Sequence, residues 1–272
     1  MNIKNLEEVQ TKLETLTKKW WFFLLFILIQ FIPTYTSKGY GWSESGAVVE
    51  EILSNAIVFN YTMFYPIFKV IPIVLVVLII LFRNRVTRLF SVYVAVNYVL
   101  FAFLQNIAYT EKYGFSVLTL NVVMCLIVAV FWFWEAAVQE TDFTPLRQPL
   151  WRYWVVPPAF LAFWYPANPA TMMPDFNPFY LLTNTAGLAF CMMTPVYLAI
   201  LLLYYPRVNM ATLRVTSLVG LIIGFYNMWV NFFINPKVLW WNGVLHIPLF
   251  TISLYALAFS LKRKSLRETK GL

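Results

Sequence analysis

The chain has 272 residues, of which 61% are hydrophobic and only 12% are charged. A soluble domain carries about 25% charged residues, so a water-facing surface cannot be built here, and an all-α integral membrane protein is predicted. The formal net charge is +8, but the basic residues lie between the apolar runs, as the positive-inside rule requires, which excludes nucleic acid as the partner.

Residues 1–19 are predicted to form an amphipathic helix on the cytoplasmic membrane surface. Leu6, Val9, Leu13 and Leu16 recur at helical spacing among Lys and Glu residues. This pattern gives a helix one apolar face for the bilayer and one charged face for water.

Eight apolar runs follow, and a helix needs roughly 20 such residues to cross a core about 30 Å thick. They cover about 20–36, 61–82, 89–109, 115–138, 152–167, 179–204, 214–234 and 238–261. Pro157 and Pro158 predict a bend or an irregular start in the fifth run. The shorter run at 47–60 is expected to be interfacial or re-entrant, and a ninth span is its alternative.

The basic residues orient these spans. If the spans alternate from a cytoplasmic N-terminus, sixteen of the twenty Lys and Arg residues fall on the cytoplasmic side. The positive-inside rule therefore predicts a multi-pass protein of the cell membrane. Both termini are expected to be cytoplasmic, and residues 262–272 form a basic tail there.

The two membrane halves, 20–138 and 139–261, can be aligned span for span. Arg88 precedes Gln105 by 17 residues, and Arg214 precedes Asn231 by 17. Each half contains four spans, so the pattern predicts a parallel tandem duplication with its axis along the membrane normal. The alternative is that Pro, Trp and Arg simply recur at the ends of spans.

Few charged groups lie within the spans. Glu135 is expected to reach the interface or to join two helices, and Lys69 to extend outward or to pair with Glu50 or Glu51,. His246 is the single histidine, and its role is structural hydrogen bonding or, alternatively, ligand or proton handling,. The two cysteines lie in apolar runs and are predicted to be small buried hydrophobes. No metal or cofactor site is predicted.

Amide and aromatic side chains supply the candidate site. An amide that faces lipid leaves its donors and acceptors unsatisfied, so these groups should face one another. One hypothesis is a polar, aromatic-lined pocket in the outer half of the membrane, and the other is polar contacts that hold helices together. The candidate residues are Gln105, Asn106, Asn121, Asn184, Asn231, Asn242, His246, Trp229 and Trp240.

Three short segments carry a resemblance to a known family. Residues 18–20 (Lys-Lys-Trp), 40–43 (Tyr-Gly-Trp-Ser) and 141–145 (Thr-Asp-Phe-Thr-Pro) occur in similar order in the C subunit of the copper-dependent membrane monooxygenases. That family holds copper with an Asp and two His, one of them shortly after the third segment, where this chain has Arg147. The resemblance therefore implies a non-catalytic relative. The four-plus-four pattern also resembles prokaryotic polytopic membrane families.

Three functions remain open from the sequence. The first is binding or transport of a small neutral or lipid-like molecule in the outer pocket. The second is a structural or assembly role in a larger membrane complex, with other membrane subunits as partners. The third is a membrane-embedded enzyme that acts on a lipid, although few groups could serve as catalytic acid or base.

Overall fold

The computed structural model describes residues 3–262, so the predicted tail lies outside the described residues except for Lys262. About 75% of the chain is helical. The α-helices are α1 (Ile3–Leu16), α2 (Trp20–Ile29), α3 (Ser45–Ser54), α4 (Tyr65–Phe82), α5 (Thr87–Leu100), α6 (Thr119–Val138), α7 (Val156–Trp164), α8 (Tyr180–Thr183), α9 (Phe190–Tyr204), α10 (Met210–Trp229) and α11 (Pro236–Lys262).

Several helices have the length and composition of membrane spans. Within residues 3–262, four stretches qualify, and a fifth qualifies if Tyr180–Leu188 and Phe190–Tyr204, which meet at 94°, count as one broken span. The four are Ile57–Gln105, Thr119–Val138, Met210–Ile234 and Pro236–Lys262. The chain is therefore a largely helical protein whose apolar helices fit a membrane.

The stretch from Ile57 to Gln105 folds back on itself. α4 ends at Arg83, which has a positive φ of 53°, and α5 begins at Thr87. Gly187 contacts both helices: its carbonyl accepts a hydrogen bond from Asn97 of α5, and its Cα approaches the backbone of Phe68 of α4. Phe68 lies 15 residues before Arg83 and Asn97 lies 14 residues after it. A straight helix could not bring both residues to Gly187, so the chain turns back after α4 and the two helices are antiparallel.

A three-stranded antiparallel sheet covers one end of the helices, and hydropathy alone did not predict it. Its strands are β1 (Tyr35–Thr36), β2 (Ile107–Thr110) and β3 (Gly114–Val117), in the order β1-β3-β2. The predicted spans 20–36, 89–109 and 115–138 are therefore too long at this end. Aromatic and β-branched residues continue the apolar runs into the strands, so no drop in hydropathy marks the helix ends.

Residues 47–60 lie at the end of the molecule that the sheet covers. α3 has ten residues, about 15 Å of helix, which is too short to cross a bilayer core,. Its buried residues Val48 and Ile52 pack against Ala108 and Leu118 at the sheet. We call this end of the molecule the sheet end, and the opposite end, where α1 packs against α6 and α10, the α1 end.

Small residues set the helix spacing in the second half. A Cβ added at Gly220 would lie 2.3 Å from Ser253 Oγ, and one added at Gly224 would lie 3.0 Å from the Cα of Phe250. α10 and α11 can therefore approach closely along this face, as small residues permit between membrane helices.

Gly187 makes the closest backbone contact of this kind, so replacing it should destabilise the fold. In Gly187→Ala the new Cβ would lie 2.5 Å from the carbonyl oxygen of Phe68, which cannot move without α4. We expect the free energy of unfolding to fall by about 2 kcal/mol, measured by thermal melting in detergent. The control is Gly46→Ala, where nothing lies within 4 Å, and an equal loss there would contradict the packing argument.

Candidate functional site

The first pair of predicted amides joins the sheet-end tips of α5 and α6. Asn121 Nδ2 donates to Asn106 Oδ1 at 3.0 Å, and Asn106 Nδ2 donates to the carbonyl of Phe101 at 2.8 Å. Asn106 is buried and directly follows a π-helical turn, Phe101–Gln105, that widens the end of α5. The pair bridges the two ends of a helical hairpin.

The second pair lies at the corresponding place on α10 and α11. Asn242 Nδ2 donates to Asn231 Oδ1 at 2.8 Å, and Asn242 Oδ1 accepts from the Tyr165 hydroxyl at 3.0 Å. Asn231 lies in a second π-helical turn, Val230–Ile234. His246 Nδ1 is 2.7 Å from the carbonyl of Asn242. Because a carbonyl only accepts, Nδ1 carries the proton in this contact.

Gln105 and Asn184 satisfy backbone groups at helix ends. Gln105 Oε1 accepts from the backbone N–H of Phe190, the first residue of α9, at 2.9 Å. Asn184 Nδ2 donates to the carbonyls of Trp164 and Tyr165 at 2.8 and 3.1 Å, just past α7. Both are structural contacts, because each replaces a hydrogen bond that the helix end lacks.

The two predicted tryptophans lie on the surface. Trp229 is 50% exposed and stacks on Phe233 at 5.1 Å, and Trp240 is 41% exposed and contacts Trp241 edge-on.

An open apolar groove of about 410 Å³ lies between α10 and α11. Its lining residues are Leu221, Ile222, Phe225, Tyr226, Phe250 and Leu254. None of the nine predicted site residues lines it.

The structure thus brings together Asn106 with Asn121, and Asn231 with Asn242 and His246. Each of the six predicted amides is hydrogen-bonded to another part of the chain. Trp229 and Trp240 are separate from these pairs in the described contacts. Asn106 pairs with Asn121 and Asn231 pairs with Asn242, whereas Gln105 and Asn184 bond to backbone groups.

A buried network at the α1 end was not predicted as a site. Glu135 accepts from the backbone N–H of Thr141 at 2.9 Å and from Asn209 Nδ2 at 2.8 Å. Asn209 also exchanges hydrogen bonds with Gln10 of α1, and Gln10 Oε1 accepts from Trp134 Nε1 at 2.6 Å. The predicted inter-helix role of Glu135 is therefore the one that the geometry supports.

The network changes the interpretation of α1. Its buried positions are the polar residues Gln10, Glu14 and Thr17, which recur at helical spacing, whereas Val9 is exposed. α1 therefore packs its polar stripe on protein. This stripe was the signal available in the sequence, because a surface helix would turn these groups to water.

Arg214 is fully buried in the first turns of α10 and was counted only as a cytoplasmic charge. Its guanidinium donates to Thr17 Oγ1 at 2.5 Å and to the carbonyl of Ser260 at 2.8 Å. Ser260 and Thr17 stand near the C-terminal ends of α11 and α1. The negative ends of two helix dipoles thus surround the cation.

The expectation that Lys69 extends outward or pairs with Glu50 or Glu51 is wrong. Lys69 is fully buried, donates to the carbonyl of Phe163 and lies 4.4 Å from the centroid of the Phe163 ring. The reason is that α4 packs against the residues around α7 and α8, so the side chain points into the protein. A carbonyl and a ring face take the place of a carboxylate.

The segment at 141–145, which resembles part of the monooxygenase subunit, connects loops at the α1 end through polar contacts. Asp142 accepts from Asn84 Nδ2 at 2.7 Å and lies 3.5 Å from Arg207 Nη1. Partial burial alone would raise the pKa of Asp142, but hydrogen bonds from Thr144 and Asn84 and the charge of Arg207 lower it overall,. Phe143 is buried against Phe90, so the segment has a structural role here.

Within residues 3–262, no group of three or more His, Cys, Asp or Glu is placed to hold a metal ion. Cys125 and Cys191 are free and buried. Comparisons of the chain with protein-family models, with curated proteins and with solved structures find no match.

Proposed function

We propose that this protein is a non-catalytic structural or assembly subunit of a larger membrane complex. The observation that carries the proposal is the pairing of the amides, because groups that bind each other are not held open for a ligand,. Amides used in this way hold helices together in lipid. The resemblance to the C subunit of the copper monooxygenases, whose metal ligands are missing here, agrees with such a role.

The proposal includes eight membrane crossings. Apart from the long helices, α2 connects Thr17, which contacts Arg214 at the α1 end, to β1 at the sheet end. A 3₁₀ turn, Leu150–Val155, and α7 lead from the α1 end to Tyr165, which contacts Asn242 at the sheet end. α9 returns to the α1 end. α2 and α7 have only ten and nine residues, so we propose that each crosses together with its flanking segments, at 17–36 and 150–167. With these two, α4, α5, α6, α9, α10 and α11 are the proposed crossing segments.

We further propose that the α1 end is cytoplasmic in the cell membrane, because most basic residues belong to it. Single cysteines test this with a membrane-impermeant maleimide. Ser43→Cys and Thr171→Cys, both exposed at the sheet end, should label in intact cells. Thr15→Cys and Arg85→Cys, exposed at the α1 end, should label only after permeabilisation, and the reverse pattern would contradict the orientation.

Tandem duplication of the two halves is supported by matching contacts. Arg88 donates to the carbonyl of Ala136 near the end of α6, and Arg214 donates to that of Ser260 near the end of α11. At the sheet end, each hairpin has a π-helical turn and an amide pair. We propose that the α5–α6 and α10–α11 hairpins are equivalent units.

An apolar face for a partner is available on α4. This helix buries one stripe of five residues, packs several others partly against the core and exposes the remainder. The exposed residues are Ile67, Val70, Ile73, Val74, Val77, Ile80, Leu81 and Phe82. In a lipid environment such a face packs on lipid chains or on another apolar helix.

Native mass spectrometry of the particle extracted in mild detergent tests the assembly role. A stoichiometric complex with other membrane subunits is the expected result. Substituting Val74→Trp and Val77→Trp on the exposed face of α4 should weaken that complex while thermal melting stays unchanged. A monomer or homo-oligomer that carries only a reproducible small molecule would overturn the proposal.

A second candidate, binding of a lipid-like molecule, is favoured by the groove between α10 and α11. Its lining is apolar and its volume is about 410 Å³, which suits an alkyl chain. The same mass spectra separate the candidates. If the groove binds the molecule, Leu221→Trp should abolish the adduct, whereas Asn121→Leu should leave it bound.

A further inference from the structure

Arg152 occupies an unusual position at the α1 end, in the 3₁₀ turn Leu150–Val155 before α7. Its guanidinium carbon lies 5.5 Å from the ring centroids of Trp151 and Tyr205 and 5.6 Å from that of Phe259. Three aromatic rings therefore surround one cation. Aromatic faces attract a guanidinium, but they do not neutralise its charge.

The described hydrogen bonds of Arg152 leave one terminal nitrogen of its guanidinium group without a partner. Nη1 donates to Gln148 Oε1 at 2.5 Å and to the carbonyl of Tyr205 at 3.3 Å. Nε is buried without a partner, and no described hydrogen bond uses Nη2. Since a guanidinium carries five N–H donors, this side chain is held in place by Nη1 while Nη2 remains available to an acceptor.

Within residues 3–262, no carboxylate forms an ion pair with Arg152. Among residues 3–262 the ion pairs join Lys12 to Glu8, Lys112 to Glu44, and Arg207 to Asp142. Arg152 takes part in none of them. A partly buried cation without an anion is costly, so an external anion would stabilise it.

The surroundings of Arg152 are those of a membrane interface. Leu150 is 90% exposed and Trp151 is 56% exposed, and Trp154 is 36% exposed and packs edge-on against Tyr255. Exposed tryptophans next to an apolar helix start lie at the level of lipid headgroups. The anion present there at high concentration is the phosphate of a phospholipid.

We propose that Arg152 and its aromatic neighbours bind the phosphate of an anionic phospholipid in the adjacent leaflet. Nη2 donates a charge-assisted hydrogen bond to a phosphate oxygen. The ring of Trp151 lies beside the headgroup, and the acyl chains lie along Trp154 and Tyr255. This inference requires membrane insertion, and it is independent of whether the chain joins a larger complex.

The test uses the full-length protein, delipidated in detergent, and native mass spectrometry with added lipid. The probes are phosphatidylglycerol and phosphatidylcholine with the same acyl chains. We expect the wild type to bind phosphatidylglycerol more tightly, and Arg152→Gln to weaken that binding about tenfold, as the loss of one charge-assisted hydrogen bond implies. Inorganic phosphate at millimolar concentration should not displace the lipid, and displacement would assign the site to free phosphate instead.

The matched control is Arg85→Gln, which removes the same charge from an exposed position at the same end. Equal weakening in both variants, or no preference for phosphatidylglycerol in the wild type, would overturn the proposal. A variant-free measurement guards against misfolding of Arg152→Gln. Phosphatidylglycerol with a photoactivatable headgroup should label the wild-type peptide 149–155, and labelling only elsewhere would contradict the assignment.

Discussion

Replacing Glu135 with alanine is expected to lower the free energy of unfolding by about 3 kcal/mol, because it deletes two buried hydrogen bonds and leaves their donors unpaired. Those donors are the N–H of Thr141 and one N–H of Asn209 Nδ2, which keeps its hydrogen bond to Gln10. Since Asn209 also binds Gln10, the change should loosen α1 as well. Thermal melting in detergent measures the first effect, and the rate of tryptic cleavage within α1 measures the second.

The control for Glu135→Ala is Glu50→Ala, which removes an exposed carboxylate from α3. It should change neither the melting temperature nor the cleavage rate, because exposed charges contribute little. The stability of Glu135→Gln should lie between those of the wild type and Glu135→Ala. Its side-chain oxygen can still accept a hydrogen bond, whereas its new NH₂ group faces the NH₂ group of Asn209. If Glu135→Ala melts like the wild type, the network does not hold the α1 end together.

Replacing Arg214 with alanine should also cost about 3 kcal/mol, since it leaves a cavity beside unpaired oxygens at the ends of α1 and α11. Arg214→Met fills the same space without a charge. Because methionine fills most of the cavity that alanine leaves, we expect Arg214→Met to recover at least about 1 kcal/mol of this loss, although the oxygens of Thr17 and Ser260 stay unpaired,.

Chemical unfolding of the two Arg214 variants, followed by tryptophan fluorescence, tests this order. A methionine variant that is no more stable than the alanine variant would contradict the packing argument, because both variants lack the charge and differ only in how much of the cavity they fill.

Hydropathy predicted the helical membrane character of the chain because lipid imposes it on long stretches of sequence. α6, α10 and α11 lie within a few residues of the predicted spans. The error lies at the sheet end, where Ile107, Tyr109 and Val117 are as apolar as the helices that they follow or precede. Hydropathy measures apolarity and not backbone conformation, so the strands were merged into spans.

Single residues in the interior were harder to predict than spans. Gln105, Asn121 and Asn242 were identified as groups that must find partners, but the sequence does not say which. Their partners depend on how the ends of the hairpins widen at the π-helical turns. Lys69 was expected to extend outward or to pair with Glu50 or Glu51, and Arg214 was counted as a cytoplasmic charge. Hydropathy and charge counts locate a residue along a span but do not give the direction of its side chain.

If the paired amides hold the helices together, a double-mutant cycle on Asn231 and Asn242 will show that the two side chains are coupled. Asn231→Leu, Asn242→Leu and the double variant are melted in detergent, and the mass of each particle is measured by native mass spectrometry. We expect a coupling energy of about 1 kcal/mol, within the range known for hydrogen bonds between membrane helices, and an unchanged set of bound molecules. Independent effects of the two substitutions, together with the loss of a bound small molecule in each variant, would contradict this role of the amides.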